Sequence, residues 1–182
     1  MNNIIFLDID GVLNDNSSSF SLESVNVLKY LIKIYNTKVV MITSWQMNGT
    51  ENKRKNIKYK FEKLGIYDID FIDPNFEGCL GNIILPSRLL GIVDYLRKYP
   101  EYNYVIFDDD YHNDYKLICL NHYKTKPLKG LTYKDTPKIR FKPVNIDNFK
   151  YINYQYRELG YYEQVTNNLV KALKKKYKQD TK

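Results

Sequence analysis

Two aspartates one residue apart, Asp8 and Asp10, follow directly on a short apolar run at residues 4–7. Such a run is typical of a strand that is buried on both faces, as in a parallel sheet. Open α/β folds bind their ligands at the carboxyl ends of these strands, and the two carboxylates would lie there. Because burying unpaired carboxylates is costly, we expect a counter-charge beside them. Mg²⁺ is the simplest one, since it prefers one or two carboxylates together with water and substrate phosphate.

Other segments carry groups of the same kind. The apolar run at 39–42 is followed by Thr43 and Ser44, and the run at 104–107 is followed by three consecutive acids at 108–110. Arg88 comes directly after Pro86-Ser87, which is a plausible helix start. Each feature alone has an ordinary explanation, as a strand end with solvated acids or as a surface arginine. Their order along the chain, with chemistry at three separate strand ends, favours one composite site.

In this order and spacing, the segments resemble the four motifs of the haloacid dehalogenase (HAD) superfamily of phosphohydrolases. The finer pattern resembles the HAD domains of multi-domain RNA-repair proteins, and the resemblance covers about residues 3–136. It implies a three-layer, Rossmann-like α/β fold with a central parallel sheet. Little or no cap is expected, because the intervals 10–43 and 43–88 leave little room for an insertion. The matching segments are 7–14, 43–45, 88–96, 105–110 and 130–132.

The resemblance also implies catalytic roles. Asp8 would be the nucleophile that forms an aspartyl phosphate, and Asp10 would protonate the leaving oxygen and later activate water. Thr43 and Ser44 would bind the transferring phosphoryl group. Arg88 would bind that group as well and neutralise its developing charge.

The same resemblance implies a Mg²⁺ site. Its expected ligands are the Asp8 carboxylate, the Asp10 main-chain carbonyl and one acid of the fourth motif. We favour Asp109 over Asp108 for the last ligand, because Asp108 still belongs to the strand end. The chain departs from the subgroup at Gln46, where an arginine is common, so a substrate contact by that arginine is not expected here. For the preceding Trp45 we favour packing in the core over stacking on a base.

Strands and helices alternate along the sequence, which favours a parallel sheet with crossover helices. Residues 137–153 are irregular and aromatic. We therefore predict a phosphatase core at 1–136 and a C-terminal extension at 137–182 that packs on the core and ends in a basic helix. The predicted strands are 3–8, 38–43, 67–72, 103–107 and 117–121, and the predicted helices are 21–35, 51–64, 87–99 and 158–178.

The net charge of +7 lies mostly at the C-terminus. Residues 171–182 hold six lysines and one aspartate, a net +5, so the rest of the chain carries only +2. We favour a solvated helix end for this segment over a phosphate-binding tail. No secretory signal or membrane-spanning run is evident, and two isolated cysteines suit a reducing compartment, so a cytoplasmic protein without membrane contact is expected.

The leading functional hypothesis is a Mg²⁺-dependent phosphatase that acts on a nucleotide or a nucleic-acid terminal phosphate. A phosphatase of a small metabolite or phosphoprotein is the second reading. A non-catalytic, HAD-like nucleic-acid-binding module and a phospho-accepting signalling domain are further alternatives. The presence of Asp8, Asp10 and Arg88 together argues against a pure binder, and the pair of aspartates favours turnover over storage.

Overall fold

A computed structural model describes residues 2–14, 19–46, 51–73, 75–110 and 112–156 of the chain. The predicted helix at 158–178 and the basic C-terminal segment lie outside these residues.

Strands and helices alternate over residues 3–71 and again over residues 87–124, as predicted. Helix α1 (Leu22–Tyr35) has Ser21 as its N-cap, whose hydroxyl accepts a hydrogen bond from the Ser24 backbone N–H at 3.3 Å. Its C-cap is Asn36, in the left-handed region. The strands are β1 (Asn3–Leu7), β2 (Thr37–Met41), β3 (Ile69–Phe71), β4 (Phe76–Leu80), β5 (Ile83–Ile84), β6 (Asn103–Asp108), β7 (His122–Lys124), β8 (Lys142–Pro143) and β9 (Ile152–Tyr156), and the helices are α1 (Leu22–Tyr35), α2 (Glu51–Lys63), α3 (Ser87–Lys98) and α4 (His112–Leu117).

The central sheet is parallel over five strands in the order β3-β2-β1-β6-β7, and β8 pairs antiparallel with the start of β6. Strand β1 is flanked by β2 and β6, with Leu7 opposite Met41 on one side and Phe107 on the other. The residues that follow these three strands therefore leave the sheet at one edge. The prediction of a Rossmann-like, three-layer α/β fold is confirmed.

The two faces of the sheet are covered by different helices. Leu28 of α1 and Phe61 of α2 belong to the core on one face. Leu89 of α3 and Tyr115 of α4 belong to the core on the other face. Strand β1 is almost fully buried between these layers, which explains its uninterrupted apolar sequence.

A second, three-stranded antiparallel sheet in the order β5-β4-β9 was not predicted. Its β4-β5 hairpin lies between β3 and α3, within the interval 43–88, in which we expected only a helix and one strand. Strand β9, which begins at the end of the region expected to be irregular, pairs with the whole of β4, from Ile152 opposite Leu80 to Tyr156 opposite Phe76. Strands β4 and β9 are short and partly exposed, and they pair across more than 70 residues of sequence. The local sequence pattern therefore does not predict them.

The predicted strand at 117–121 is wrong. Helix α4 ends at Leu117, a turn follows in which Cys119 has a φ of 55°, and β7 begins only at His122. The error has a physical cause: Ile118 and Leu120 are buried while Leu117 and Cys119 are exposed. The turn thereby reproduces the alternation of a strand with one buried face.

Arg97 connects helix α3 to the chain after residue 145. Its guanidinium donates hydrogen bonds to the carbonyls of Phe149 at 2.6 Å and Ile152 at 3.5 Å, and it lies 4.9 Å from the centre of the Tyr154 ring. Phe149 itself is fully buried in the core beneath α3. The arginine therefore helps to hold the C-terminal part of the described chain on the body.

We expect Arg97→Ala to lower the free energy of unfolding by about 2 kcal/mol, because it leaves backbone carbonyls without a charged donor and removes the ring contact. Chemical denaturation measures this loss. The neighbouring Lys98→Ala is the matched control, since it removes an i,i+4 ion pair with Asp94 in which the lysine is exposed, and it should change stability by less than about 0.5 kcal/mol. Equal effects of the two substitutions would contradict this role of Arg97.

Candidate active site

The groups predicted to do chemistry meet at the carboxyl edge of the central sheet. Asp8 follows β1 and donates its backbone N–H to the Phe107 carbonyl of β6 at 2.9 Å. On the other side, the Ile42 N–H donates to the Leu7 carbonyl at 3.0 Å, which brings the chain before Thr43 beside the same strand end. Asp108 is the last residue of β6. Parallel pairing to β1 thus places the three strand ends next to one another.

Arg88 joins two of these acids. One terminal nitrogen of its guanidinium donates to Oδ2 of Asp8 and to Oδ2 of Asp108, each at 2.9 Å. All three side chains are buried: Asp8 and Arg88 are each 5% exposed and Asp108 is 0% exposed. The contact is therefore a buried ion-pair triad, in which each carboxylate is held at a fixed place relative to the other.

Glycine at position 91 lets helix α3 approach the sheet edge closely enough for this contact. A Cβ at Gly91 would lie 2.5 Å from the Asp73 carbonyl oxygen and 3.0 Å from Cδ1 of Ile72, in the segment that follows β3. Arg88 lies one turn earlier on the same helix. The absence of a side chain at residue 91 thus sets the distance at which Arg88 meets the carboxylates.

Asp108 is held by several donors besides Arg88. The Tyr115 hydroxyl donates to Oδ2 at 2.7 Å, and the Asp110 backbone N–H donates to Oδ1 at 2.8 Å. Its backbone carbonyl lies 2.9 Å from Nε2 of His122. Because protein donors already surround this carboxylate, Asp108 is well suited to orient Arg88 and less suited to give its oxygens to a ligand.

Asp109 points toward the same place from the next residue. Its carboxylate lies against Gly11, whose φ of 68° and missing side chain are both needed, since a Cβ there would overlap the carboxylate. One carboxylate oxygen each from Asp8, Asp108 and Asp109 lie within 4.8 Å of one another. Oxygens around an octahedral Mg²⁺ are about 3.0–4.2 Å apart, given bond lengths of about 2.1 Å. The three carboxylate oxygens therefore fit such a cation if they move slightly closer to one another.

Asp10 is held at the edge of this group by two other side chains. Trp45 Nε1 donates to its Oδ2 at 2.8 Å, and Asn14 Nδ2 donates to its Oδ1 at 3.0 Å. The buried Thr43 hydroxyl accepts the Trp45 backbone N–H at 3.3 Å, whereas Ser44 is exposed. Trp45 therefore packs beside the core, as we favoured, and also contacts a candidate catalytic carboxylate, which we did not foresee.

Burial changes the ionisation of the acids in this group. It raises the pKa of Asp8 from 3.8 to about 6, an effect that Asp108 adds to and the Arg88 guanidinium opposes. Burial, followed by the nearby Asp108, also raises the pKa of Asp109. The pKa of Arg88 is raised by the two carboxylates against the effect of burial, so it stays charged. One cation thus faces three acids, and an added cation would be stabilised there.

The structure therefore brings Asp8, Asp108, Asp109 and Arg88 into one cluster, with Asp10 and Thr43 connected to each other through Trp45. The catalytic and metal-binding roles of these residues stay predictions. Sequence reasoning missed Tyr115 and the Asp10 contacts of Asn14 and Trp45. It also missed Thr125, whose hydroxyl donates to the Gly11 carbonyl at 2.8 Å. Only Asn14 and Trp45 had a signal, since both lie inside the matched motifs.

Comparison with protein families gives a match over residues 4–136 to the family described as the HAD domain in Swiss Army Knife RNA repair proteins. The chain belongs to this HAD-domain family. Membership indicates a phosphohydrolase-type function; HAD domains generally use Mg²⁺, and a cluster of acidic residues lies at Asp8, Asp108 and Asp109. No curated protein and no solved structure matches the chain. Among the described residues of this HAD domain, no helix has the length and apolar character needed to cross a membrane.

The raised pKa of Asp8 predicts a pH-dependent stability in the presence of chelator. The folded chain holds the Asp8 proton up to about pH 6, whereas the unfolded chain releases it near pH 3.8, so stability falls as pH rises through this window. Asp8→Asn removes this titration. The free energy of unfolding of the variant, minus that of wild type, should therefore rise by up to about 3 kcal/mol between pH 4 and pH 7.

Denaturant unfolding at a series of pH values measures this difference. Asp147→Asn, at an exposed position outside the acidic cluster, is the control, and the gain between pH 4 and pH 7 should be larger for Asp8→Asn than for this variant. A pH-independent difference for Asp8→Asn would show that the Asp8 carboxylate is not destabilised by its surroundings.

Proposed function

We propose that this chain is a Mg²⁺-dependent phosphatase that works through an aspartyl phosphate on Asp8 and acts on the terminal phosphate of a nucleotide or nucleic acid. The observation that carries the proposal is the buried contact of Arg88 with both Asp8 and Asp108, with Asp109 beside them. Phosphoryl transfer needs positioning and neutralisation of charge more than any other help from the protein. The fixed Asp8 carboxylate supplies the positioning, and the Arg88 guanidinium beside it supplies the neutralisation of charge.

In the first step, an Asp8 carboxylate oxygen forms a bond to phosphorus as the bond from phosphorus to the leaving oxygen breaks. Asp8 is prepared for this attack, because Arg88 holds its Oδ2 and the Ile9 backbone N–H donates to its Oδ1 at 2.8 Å. Asp10, in its protonated form, gives a proton to the leaving oxygen. Arg88 and Thr43 are the residues assigned to bind the oxygens of the transferring group, with help from the main chain at Ser44.

In the second step, a water molecule attacks phosphorus and the acyl phosphate bond breaks. The Asp10 carboxylate takes the proton from this water, which restores the acid for the next cycle. Inorganic phosphate leaves and the Asp8 carboxylate is free again. One side chain thus serves as acid in one step and base in the other.

Asp8, Asp109 and the Asp10 main-chain carbonyl are the residues proposed to hold Mg²⁺, with Asp108 as the remaining acid of the cluster. When bound, the ion would screen the charge of the phosphate and the carboxylates so that two anions can approach. Asp109 is preferred over Asp108 because Asp108 already accepts from Arg88, Tyr115 and the Asp110 backbone.

The proposed substrate class is supported by the family description, which places such HAD domains in RNA repair proteins. A phosphatase for a small metabolite or phosphoprotein is the alternative, and the assay below separates the two. A purely binding role is less favoured, since it gives no reason for the buried triad and its neighbouring third acid. The basic segment at 171–182 lies outside the described residues and carries no part of this argument.

Asp8→Asn should abolish phosphate release from 5′- and 3′-phosphorylated oligonucleotides and from p-nitrophenyl phosphate, because the amide is nearly isosteric but is a poor nucleophile. Steady-state assays should show a fall in kcat of at least about 1000-fold, which corresponds to about 4 kcal/mol in the barrier. Circular dichroism would confirm the fold. Activity within about tenfold of wild type would contradict the assigned role.

The same assay on wild type tests the substrate class. A higher kcat/KM for the phosphorylated oligonucleotides than for sugar phosphates and a phosphopeptide supports the proposal. A preference for either of the other two classes would overturn it in favour of the alternative.

Asp109→Ala should weaken Mg²⁺ activation, with a rise in the Mg²⁺ concentration for half-maximal rate of about tenfold or more. Asp110→Ala is the matched control, since its carboxylate is exposed one residue further on, and its Mg²⁺ dependence should stay close to that of wild type. The Mg²⁺-induced rise in Tm provides a second readout without turnover. If Asp110→Ala has the larger effect, or neither substitution has one, the assignment of Asp109 fails.

A further inference from the structure

We infer that Trp45 and Asn14 are positioning residues for Asp10, which hold its carboxylate in place for proton transfer. The inference rests on the proposed function, since it concerns the residue assigned there as general acid and base. Trp45 Nε1 and Asn14 Nδ2 reach different oxygens of Asp10, at 2.8 and 3.0 Å. Two donors on two oxygens fix both the position and the rotation of a carboxylate, which one donor cannot do.

The direction of both hydrogen bonds is determined by the chemistry of the donors. An indole N–H donates and never accepts. The Asn14 amide is oriented by the Gly11 backbone N–H, which can only donate and lies 3.2 Å from Oδ1 of Asn14. Its Nδ2 must therefore face Asp10. Both side chains thus act on Asp10 as donors, whichever protonation state Asp10 has at that point of the cycle.

Each of the two donors is itself held firmly. The Trp45 ring is stacked on Phe20 with ring centres 6.2 Å apart and an angle of 19° between the ring planes, and Lys60 Nζ lies 4.9 Å from its centre. Its backbone N–H donates to the Thr43 hydroxyl at 3.3 Å. Asn14 is 1% exposed, at the end of a turn. Loose surface side chains would not hold a third group in this way.

This arrangement suits a residue that must both give and take a proton. Neither donor can accept the proton, so neither competes with the leaving oxygen or with water for it. Each carboxylate oxygen has two acceptor positions, and one donor on each leaves a position for the transferred proton. In the first step that proton moves from Asp10 to the leaving oxygen as the bond to phosphorus breaks. Without the donors the carboxyl group can rotate away from this oxygen.

The experiment compares esters that differ in how much they need the proton. A p-nitrophenolate leaves readily as an anion, whereas an alkoxide such as the ribose oxygen of a nucleotide does not. General acid catalysis is worth about 10²–10⁴-fold where it is needed. We therefore expect Trp45→Phe to reduce kcat for a nucleoside monophosphate by at least about tenfold more than kcat for p-nitrophenyl phosphate. Asn14→Ala should change this ratio in the same direction.

Tyr35→Leu is the matched control. Tyr35 is also a half-buried aromatic residue at this core, but its ring packs on Phe141 with ring centres 4.9 Å apart, near Asn3 at the start of β1 and so at the opposite end of the strand from Asp10. Its loss should therefore change both substrates by the same factor. An equal loss on both substrates for Trp45→Phe, or no loss on either, would mean that Trp45 serves packing only and would overturn the inference.

A second measurement does not depend on turnover. Trp45 is the single tryptophan of the chain, so its indole N–H gives one resolved signal in a ¹H–¹⁵N spectrum. Asp10→Ala should move the indole proton upfield and speed its exchange with solvent, while Asp110→Ala should leave it in place. An unchanged indole signal in Asp10→Ala would overturn the positioning itself. If the indole signal responds to Asp10→Ala as expected but the wild-type chain hydrolyses neither ester, the proposed function is contradicted and the positioning of Asp10 is not.

Discussion

The buried contact of one guanidinium with two carboxylates is the interaction on which the rest of this site depends. Arg88 comes from the start of α3, Asp8 from the end of β1 and Asp108 from the end of β6, so three separate elements meet at one nitrogen. Removing the arginine would leave two buried carboxylates without their counter-charge, at a cost of about 3–5 kcal/mol. The triad therefore fixes the position of the helix against the sheet as well as the geometry of the acids.

The charges of this group are unbalanced in a way that suits its proposed chemistry. Asp109 adds a third acid within 4.8 Å of the other two, while Arg88 is the single cation in contact with Asp8 and Asp108 among the described residues. Burial first, and the nearby Asp108 after it, raise the pKa values of Asp8 and Asp109, so negative charge is disfavoured at both carboxyl groups. A divalent cation relieves the excess of negative charge, and phosphate can then approach. The same excess explains why an arginine, which stays charged, occupies position 88.

Sequence alone predicted the sheet, its central strand and the residues at its carboxyl edge. This was possible because β1, β2 and β6 are buried on both faces and read as uninterrupted apolar runs, and because Asp8, Asp108 and Arg88 lie in motifs of fixed order. The second sheet was missed because β4 and β9 are partly exposed and pair across a long stretch of chain. The turn at 118–120 was misread because its burial alternates as in a strand. The contacts of Trp45 and Asn14 with Asp10 depend on side-chain geometry that spacing does not specify.

Covalent phosphorylation of Asp8 is the central claim, and it is tested most directly by trapping the enzyme during turnover. The wild-type chain is mixed with Mg²⁺ and a phosphorylated oligonucleotide, quenched in acid within the first turnover, digested and analysed by mass spectrometry. The account predicts one added phosphoryl group on the peptide that contains Asp8, localised to that residue. Full turnover with no phosphorylated enzyme at any time, or with the phosphoryl group on a different residue, would contradict it.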